Sequence, residues 1–469
     1  MNKLPFGFTP GGGSGGEDPG SGGGPGGAGG SGGAGGSGGD PFGGLFGGAG
    51  GGDISGALRR LADLLSWQGG PVNWDLATST ALEATTAGDR AVTAAETAEV
   101  AEAVRLADLW LDPETAFASG VSGTEAWSRR QWVEITAPVW AQLCDPVATR
   151  VVAAMSGALP PEMRAMAGPL IGMLGQIGGL VFGAQMGSAI GNLANEVVGS
   201  TDIGLPLGPA GRATLVPVNV AAFGHGLGLP ADQVRLYLAL REAAYHRLFT
   251  HVPWLRAHLF EAVEAYARGI SIDSSAITRA MENIDPTSMD PEALQRALGD
   301  GLFQPQETDA QRAALARLET ALALTEGWVD GLVSAAAGNH LPAAVALQET
   351  VRRRRAEGGP AEQAFATFVG LELRPRRLRE ASTLWGALRA ARGVAGRDAL
   401  WAHPDLLPTG TDLDDPLGFA AEAGGGSGPS SDMDAELRRL AAGEPLDQAP
   451  GDQAPSDQPP SEQPPDAPG

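Results

Sequence analysis

Most of the first 52 residues are glycine, with a few Ser, Pro, Asp and Phe among them. Ordering such a segment costs maximal backbone entropy and buries almost nothing. Residues 421–469 are equally poor in core formers and end in DQAPGDQAPSDQPPSEQPPDAPG. Both stretches read as disordered arms by composition. Folding is therefore expected within 53–420, which is long enough for a sizeable hydrophobic core.

Charge narrows the function classes. The net charge is −23, which argues against general affinity for nucleic acid. Residues 411–469 carry 13 acids and two arginines, so the acidity is concentrated in a solubilising tail. Cys144 is the single cysteine, which excludes an intrachain disulfide and a Cys-x-x-Cys zinc site. The start, MNKLPFGFTPGGG, lacks the charged and apolar regions of a signal peptide, so a cytoplasmic location is expected.

Within 53–420 the patterning is mainly helical. Helices are expected at 53–67, over 75–112 as one long Ala-rich run, and as a pair within 124–156 punctuated by Pro138 and Pro146. Trp127, Trp132 and Trp140 read as core anchors. Residues 165–195 contain no charge, and Gly179, Gly183, Gly187 and Gly191 recur every four residues. That strip suits either a membrane helix or a closely packed helix pair in a soluble core. Gln176, Gln185, Ser188 and Asn192 interrupt the run, which favours the core and no stable membrane span. ATLVPVNV (213–220) is the best strand candidate, as an edge strand or hairpin. Helices follow at about 231–249, 254–268, 290–303, 308–337, 341–356, 361–370 and 375–392. RRRR at 352–355 reads as a solvated helix end whose cations suit the helix dipole. WAHPDLLPTGTDLDDP (401–416) is expected to wrap the core through Trp401 and Leu406.

The chemistry centres on LYLALREAAYHRLFTHVPWLR (236–256). In an H-E-x-x-H helix, positions i and i+4 share a face, two imidazoles bind zinc, and the Glu acts on metal-bound water. Here REAAY stands in that frame: Glu242 holds the glutamate position, and Arg241 and Tyr245 hold the histidine positions. A guanidinium has no lone pair for a metal. A phenol binds one only as phenolate, with an ordinary pKa near 10. His246, four residues after Glu242, could pair with it on a rotated face.

LALREAAYHRLFTHVPWLR, LPFGF, TDIGLPLGP, LTEGWVD, RRRRAEGGPAEQAFATFVGLELRPRRLREASTLW and GRDALWAHPDLLPTGTDLDDPLGF together resemble the signatures of a bacterial family of zincin-like hydrolases. Its members are often labelled zinc-dependent metalloproteases and are common in actinobacteria. The resemblance spans nearly all of 53–420 and places the chain in a branch with a degenerate H-E-x-x-H. It implies one mainly α, zincin-like core with few or no short strands. It also implies Glu242 as the catalytic base and Glu326, in LTEGWVD, as a metal ligand; it supplies no histidine, and His246 is the residue left as a candidate displaced second ligand for zinc. Two functions stay open. One is a zinc-dependent, peptidase-like hydrolase. The other is an inactive zincin-like protein that binds a peptide or protein partner, with an Arg241–Glu326 ion pair in place of the metal.

Overall fold

The computed structural model describes residues 67, 70–157, 168–270, 308–338, 340–356 and 377–424. The helices expected at 290–303 and 361–370, nearly all of that at 53–67, the Gly-rich arm and most of the acidic tail lie outside the described residues. Helices dominate what is described, and one contiguous hydrophobic cluster runs from Val72 to Ala420. Two four-residue strands accompany them, β1 (Gly123–Ala126) and β2 (Arg212–Leu215). They pair in parallel with Gly123 opposite Arg212, and Gly199 adds an antiparallel bridge to Leu215.

The first helices show how local chemistry overrides periodicity. The run expected over 75–112 is two helices, α1 (Trp74–Thr85) and α2 (Ala94–Leu111). Gly88 turns the chain between them at φ +80°. Thr93 then starts α2 with a capping box: its hydroxyl accepts from the Glu96 N–H, and Glu96 accepts from the Thr93 N–H. The region 124–156 departs the other way. After β1, one helix, α3 (Arg129–Gly157), passes through both Pro138 and Pro146. Each interior proline removes an N–H donor and costs about 3 kcal/mol. Burial of Trp132, Trp140, Leu143, Cys144 and Val147 offsets that cost. Trp127 is buried as well.

The charge-free stretch forms α4 (Gly168–Ala194), packed along α1. A Cβ on Gly183 would lie 2.6 Å from the Asn73 carbonyl oxygen, and one on Gly187 would lie 2.4 Å from that of Ala77. A Cβ on Gly191 would lie 2.6 Å from the Ala84 Cβ. The glycine strip therefore lets two backbones touch. No helix among the described residues is long and apolar enough to cross a membrane.

β2 ends at Leu215, which corrects the expectation of a strand or hairpin over 213–220. Pro217 opens α5 (Pro217–Gly224), its fixed φ suiting the first helical turn. Then come α6 (Ala231–His251) and α7 (Pro253–Arg268), separated only by Val252. After them stand α8 (Asp309–Ala337), α9 (Ala344–Ala356) and α10 (Leu378–Asp398), the last kinked at Gly393. The described residues end with α11 (Gly410–Asp414) and α12 (Pro416–Gly424), so helix extends slightly past the expected start of the tail at 421. Trp401 is buried and stacks on Trp385 at 5.3 Å, as expected of a core-wrapping segment. Leu406 is instead 49 % exposed, because a short 3-10 turn over Pro404–Leu406 lifts it off the core.

Candidate functional site

α6 packs against α2, α5, α7, α8, α9 and β2. Every residue from Tyr237 to Leu248 is buried, although Arg241, Glu242, His246 and Arg247 are polar or charged. A charge in such a place must be paired or hydrogen-bonded. The 100° step of the helix sends these four side chains to three faces, and each face finds partners on a different element.

Arg241 and Tyr245, one turn apart, point together at α8. The Arg241 guanidinium and the Tyr245 hydroxyl both donate to the carboxylate of Glu326, and Arg355 from the end of α9 reaches its Oε2 at 3.2 Å. The expected contact between Arg241 and Glu326 is thus present, with two further donors on the same carboxylate. Burial opposes the charge on Arg241, but Glu326, Tyr237 and Asp330 outweigh it and hold its pKa above the ordinary guanidinium value. Burial likewise pushes the neighbouring Tyr237 hydroxyl up to about 12, so it stays a neutral phenol.

Glu242 and His246 share the next face, toward β2 and the turn after α4. Glu242 Oε1 accepts from the N–H and hydroxyl of Ser200 and from the N–H of Thr214 at 3.1 Å. Oε2 accepts from the Thr201 N–H at 3.2 Å and its hydroxyl at 2.6 Å. His246 Nε2 lies 3.4 Å from Oε1, an ion-pair distance without hydrogen-bond alignment. Burial alone would raise the Glu242 pKa. His246, Ser200 and Thr201 more than reverse that and hold the carboxyl below the usual carboxylate range. The Glu242 carboxylate is therefore a cross-link among α6, β2 and residues 200–201. Gly199 must be a glycine here, since a Cβ would meet Glu242 Oε2 at 2.6 Å.

Arg247 occupies the third face and is fully buried. It bonds the Asp108 carboxylate at 2.7 Å, Asp112 at 2.6 Å and the Phe117 carbonyl at 2.9 Å, tying α6 to α2.

The arginines at 352–355 correct the expectation of a solvated helix end. Arg353 alone is largely exposed. Arg352 bonds Asp330 at 2.7 Å, and Asp330 also accepts from Gln348 and Ser382. Arg354 reaches Asp202 at 3.6 Å and the Glu196 carbonyl at 2.6 Å, and Arg355 bonds both the Asp202 carbonyl and Glu326. Burial would raise the Asp202 pKa, but Arg354 and Arg355 hold it below its ordinary value. The reason is placement: α9 lies beside the acidic face of α8, where Glu326 and Asp330 stand one turn apart. That i, i+4 pair of acids facing a run of arginines was the available sequence signal. The sequence does not point to Asp202, Asp330 or Arg247 individually, and it places Arg355 only within a run of like charge.

Zinc can be tested against these donors. It takes three or four lone-pair ligands. Arg241 offers none, and Tyr245 uses its hydroxyl proton on Glu326. Glu326 already accepts from three side chains. His246 stands beside Glu242 on a different face of α6, so the structure does not bring it together with Glu326. No group of three or more His, Cys, Asp or Glu residues able to hold a metal occurs among the described residues. The residues present do not fit a zinc ion.

A family model described as zincin-like metallopeptidase matches residues 72–420. Among solved structures, a protein from Chloroflexus aurantiacus, described as a candidate hydrolase with a novel fold, is similar over 76% of this chain and 100% of its own. The TM-score is 0.55 at 20% sequence identity, a likeness of fold. No protein of curated function matches.

Proposed function

Because this chain belongs to the zincin-like metallopeptidase family, we propose that it keeps the family's helical frame with an ion-pair core in place of the metal, and that it acts by binding a peptide or protein partner rather than by hydrolysis. The observation that carries this reading is the convergence of Arg241, Tyr245 and Arg355 on Glu326. Two of the three come from the histidine positions of the motif, and they deliver to Glu326 the positive charge and cross-linking a metal would supply.

The hydrolytic alternative keeps Glu242 as general base and zinc on Glu326 and His246. It needs a Glu242 oxygen free to take a proton from water. Both oxygens instead accept from backbone N–H groups and hydroxyls. A cytoplasmic location remains the expectation for either reading.

Metal content of the purified protein, measured beside Glu326→Ala and with a peptide-cleavage assay, separates the two. The proposal expects no bound zinc and no cleavage from the wild type, before or after incubation with zinc. Stoichiometric zinc in the wild type that disappears in Glu326→Ala would sink it.

A further inference from the structure

The acidic tail is not uniform. Residues 425–469 lie outside the described residues, but all their large apolar side chains, Met433, Leu437, Leu440 and Leu446, fall between 433 and 446. In SSDMDAELRRLAAGEP (430–445) the helix signals agree with one another. Ser431 and Asp434 stand at capping-box spacing, acids lead, Arg438 and Arg439 follow, and Gly443 and Pro445 mark a stop. Met433, Leu437, Leu440 and Ala441 share one face at i, i+4, i+7 and i+8. A helix over 432–442 is shorter than the roughly 12–15 residues that stand alone in water, so that face needs a surface to cover.

α12 offers that surface. It packs on α10 and α11, with Ala420 buried and Phe419 and Ala423 partly buried against the core. On its outer side, one turn apart, Leu417 is 64 % exposed and Ala421 is exposed as well. The charges at the two ends of α12 differ. Asp414, paired with Arg377, and Asp415 stand exposed just before its first residue. At its last turn the exposed Arg392 donates Nε to the Ala423 carbonyl at 2.5 Å. Residues 425–431, GGSGPSS, then suit a return of the chain. They reach up to about 23 Å when extended, against about 8–10 Å between packed helix axes.

We propose that residues 432–442 dock as a helix, antiparallel, along the outer face of α12. Met433, Leu437 and Leu440 cover Leu417 and Ala421. In that direction Arg438 and Arg439, the cations of the segment, come to Asp414 and Asp415, and its leading acids, Asp432 and Asp434, come to Arg392. A parallel course sets Asp432 and Asp434 against Asp414 and Asp415 instead. The short tether holds the effective concentration near the millimolar range, so a small apolar contact suffices. The inference does not rest on Glu242, Glu326 or the proposed function.

Amide hydrogen exchange of the full chain, read by mass spectrometry, tests it. Residues 434–442 are expected to exchange at least about tenfold more slowly than 447–469, at any protein concentration. Leu417→Asp, a change at an exposed site, should remove that protection while the body stays folded. Leu437→Asp should remove it too, and should speed exchange within α12, which the loss of an undocked helix could not do. The proposal is overturned if 434–442 exchanges as fast as 447–469, if the protection survives Leu417→Asp in a folded protein, or if Leu437→Asp leaves α12 unchanged. Protection that appears only as the protein concentration rises overturns it as well, and assigns the face to a second copy of the chain.

Discussion

Glu242 and Glu326 are buried carboxylates on neighbouring helices, yet they are held by different kinds of partner. Glu326 is met by three long side chains from α6 and α9. Glu242 is met by three backbone N–H groups and two hydroxyls from Ser200, Thr201 and Thr214 of β2. The first arrangement can be rewritten by exchanging side chains, since its partners are two side chains one turn apart on α6 and one at the end of α9. The second is part of how the chain closes on itself. Glu242 is thus part of the architecture, while positions 241 and 245 carry the exchangeable side chains.

The largest expected effect is on the backbone-held carboxylate. Glu242→Ala leaves three buried N–H groups without acceptors, and each such loss costs about 1–3 kcal/mol. A destabilisation of roughly 5 kcal/mol is expected in chemical denaturation, and a loss below about 2 kcal/mol would erase the contrast. Glu326→Ala comes next. It strands the buried Arg241 and should cost about 3–5 kcal/mol. Replacing both partners, as Arg241→Met with Glu326→Met, should recover much of that loss, because a matched apolar pair needs no counter-charge. A double-mutant cycle with no coupling between 241 and 326 would show that the side-chain cluster does not act as a unit.

The smallest effect is on pH. Glu242 has a folded pKa below its unfolded value near 4.3. Its contribution to stability is complete above that unfolded value and is lost as pH falls through the folded one. Asp202 adds a dependence of the same sign. Glu242→Gln should therefore flatten the acid limb of the stability profile, and an unchanged slope would remove Glu242 as its source.

Sequence patterning located α6, α7 and α8 well because long helices with buried faces carry a strong period. It failed at 75–112, where the period continued across Gly88 although the Thr93–Glu96 cap had already begun a new helix. It failed again at Pro138 and Pro146, where tertiary burial outweighs a local penalty. The Arg241–Glu326 contact was legible because the motif fixes one partner's helix face and the resemblance supplies the other. The partners of Glu242 were not, since Ser200, Thr201 and Thr214 reach it through a turn and a short strand that no period announces. The arginines of α9 were misread for a related reason: a run of like charge says nothing about which acids the fold brings to it.

The four-residue glycine strip of α4 has a consequence for insertions and deletions. Substitution by alanine at one glycine disturbs one contact with α1, but adding or removing a single residue turns everything beyond it by about 100°. All later glycines would then leave the interface together, and bulky side chains would meet the carbonyls of Asn73 and Ala77. The lengths of α1 and α4 are thus expected to tolerate change far less than their exposed positions do.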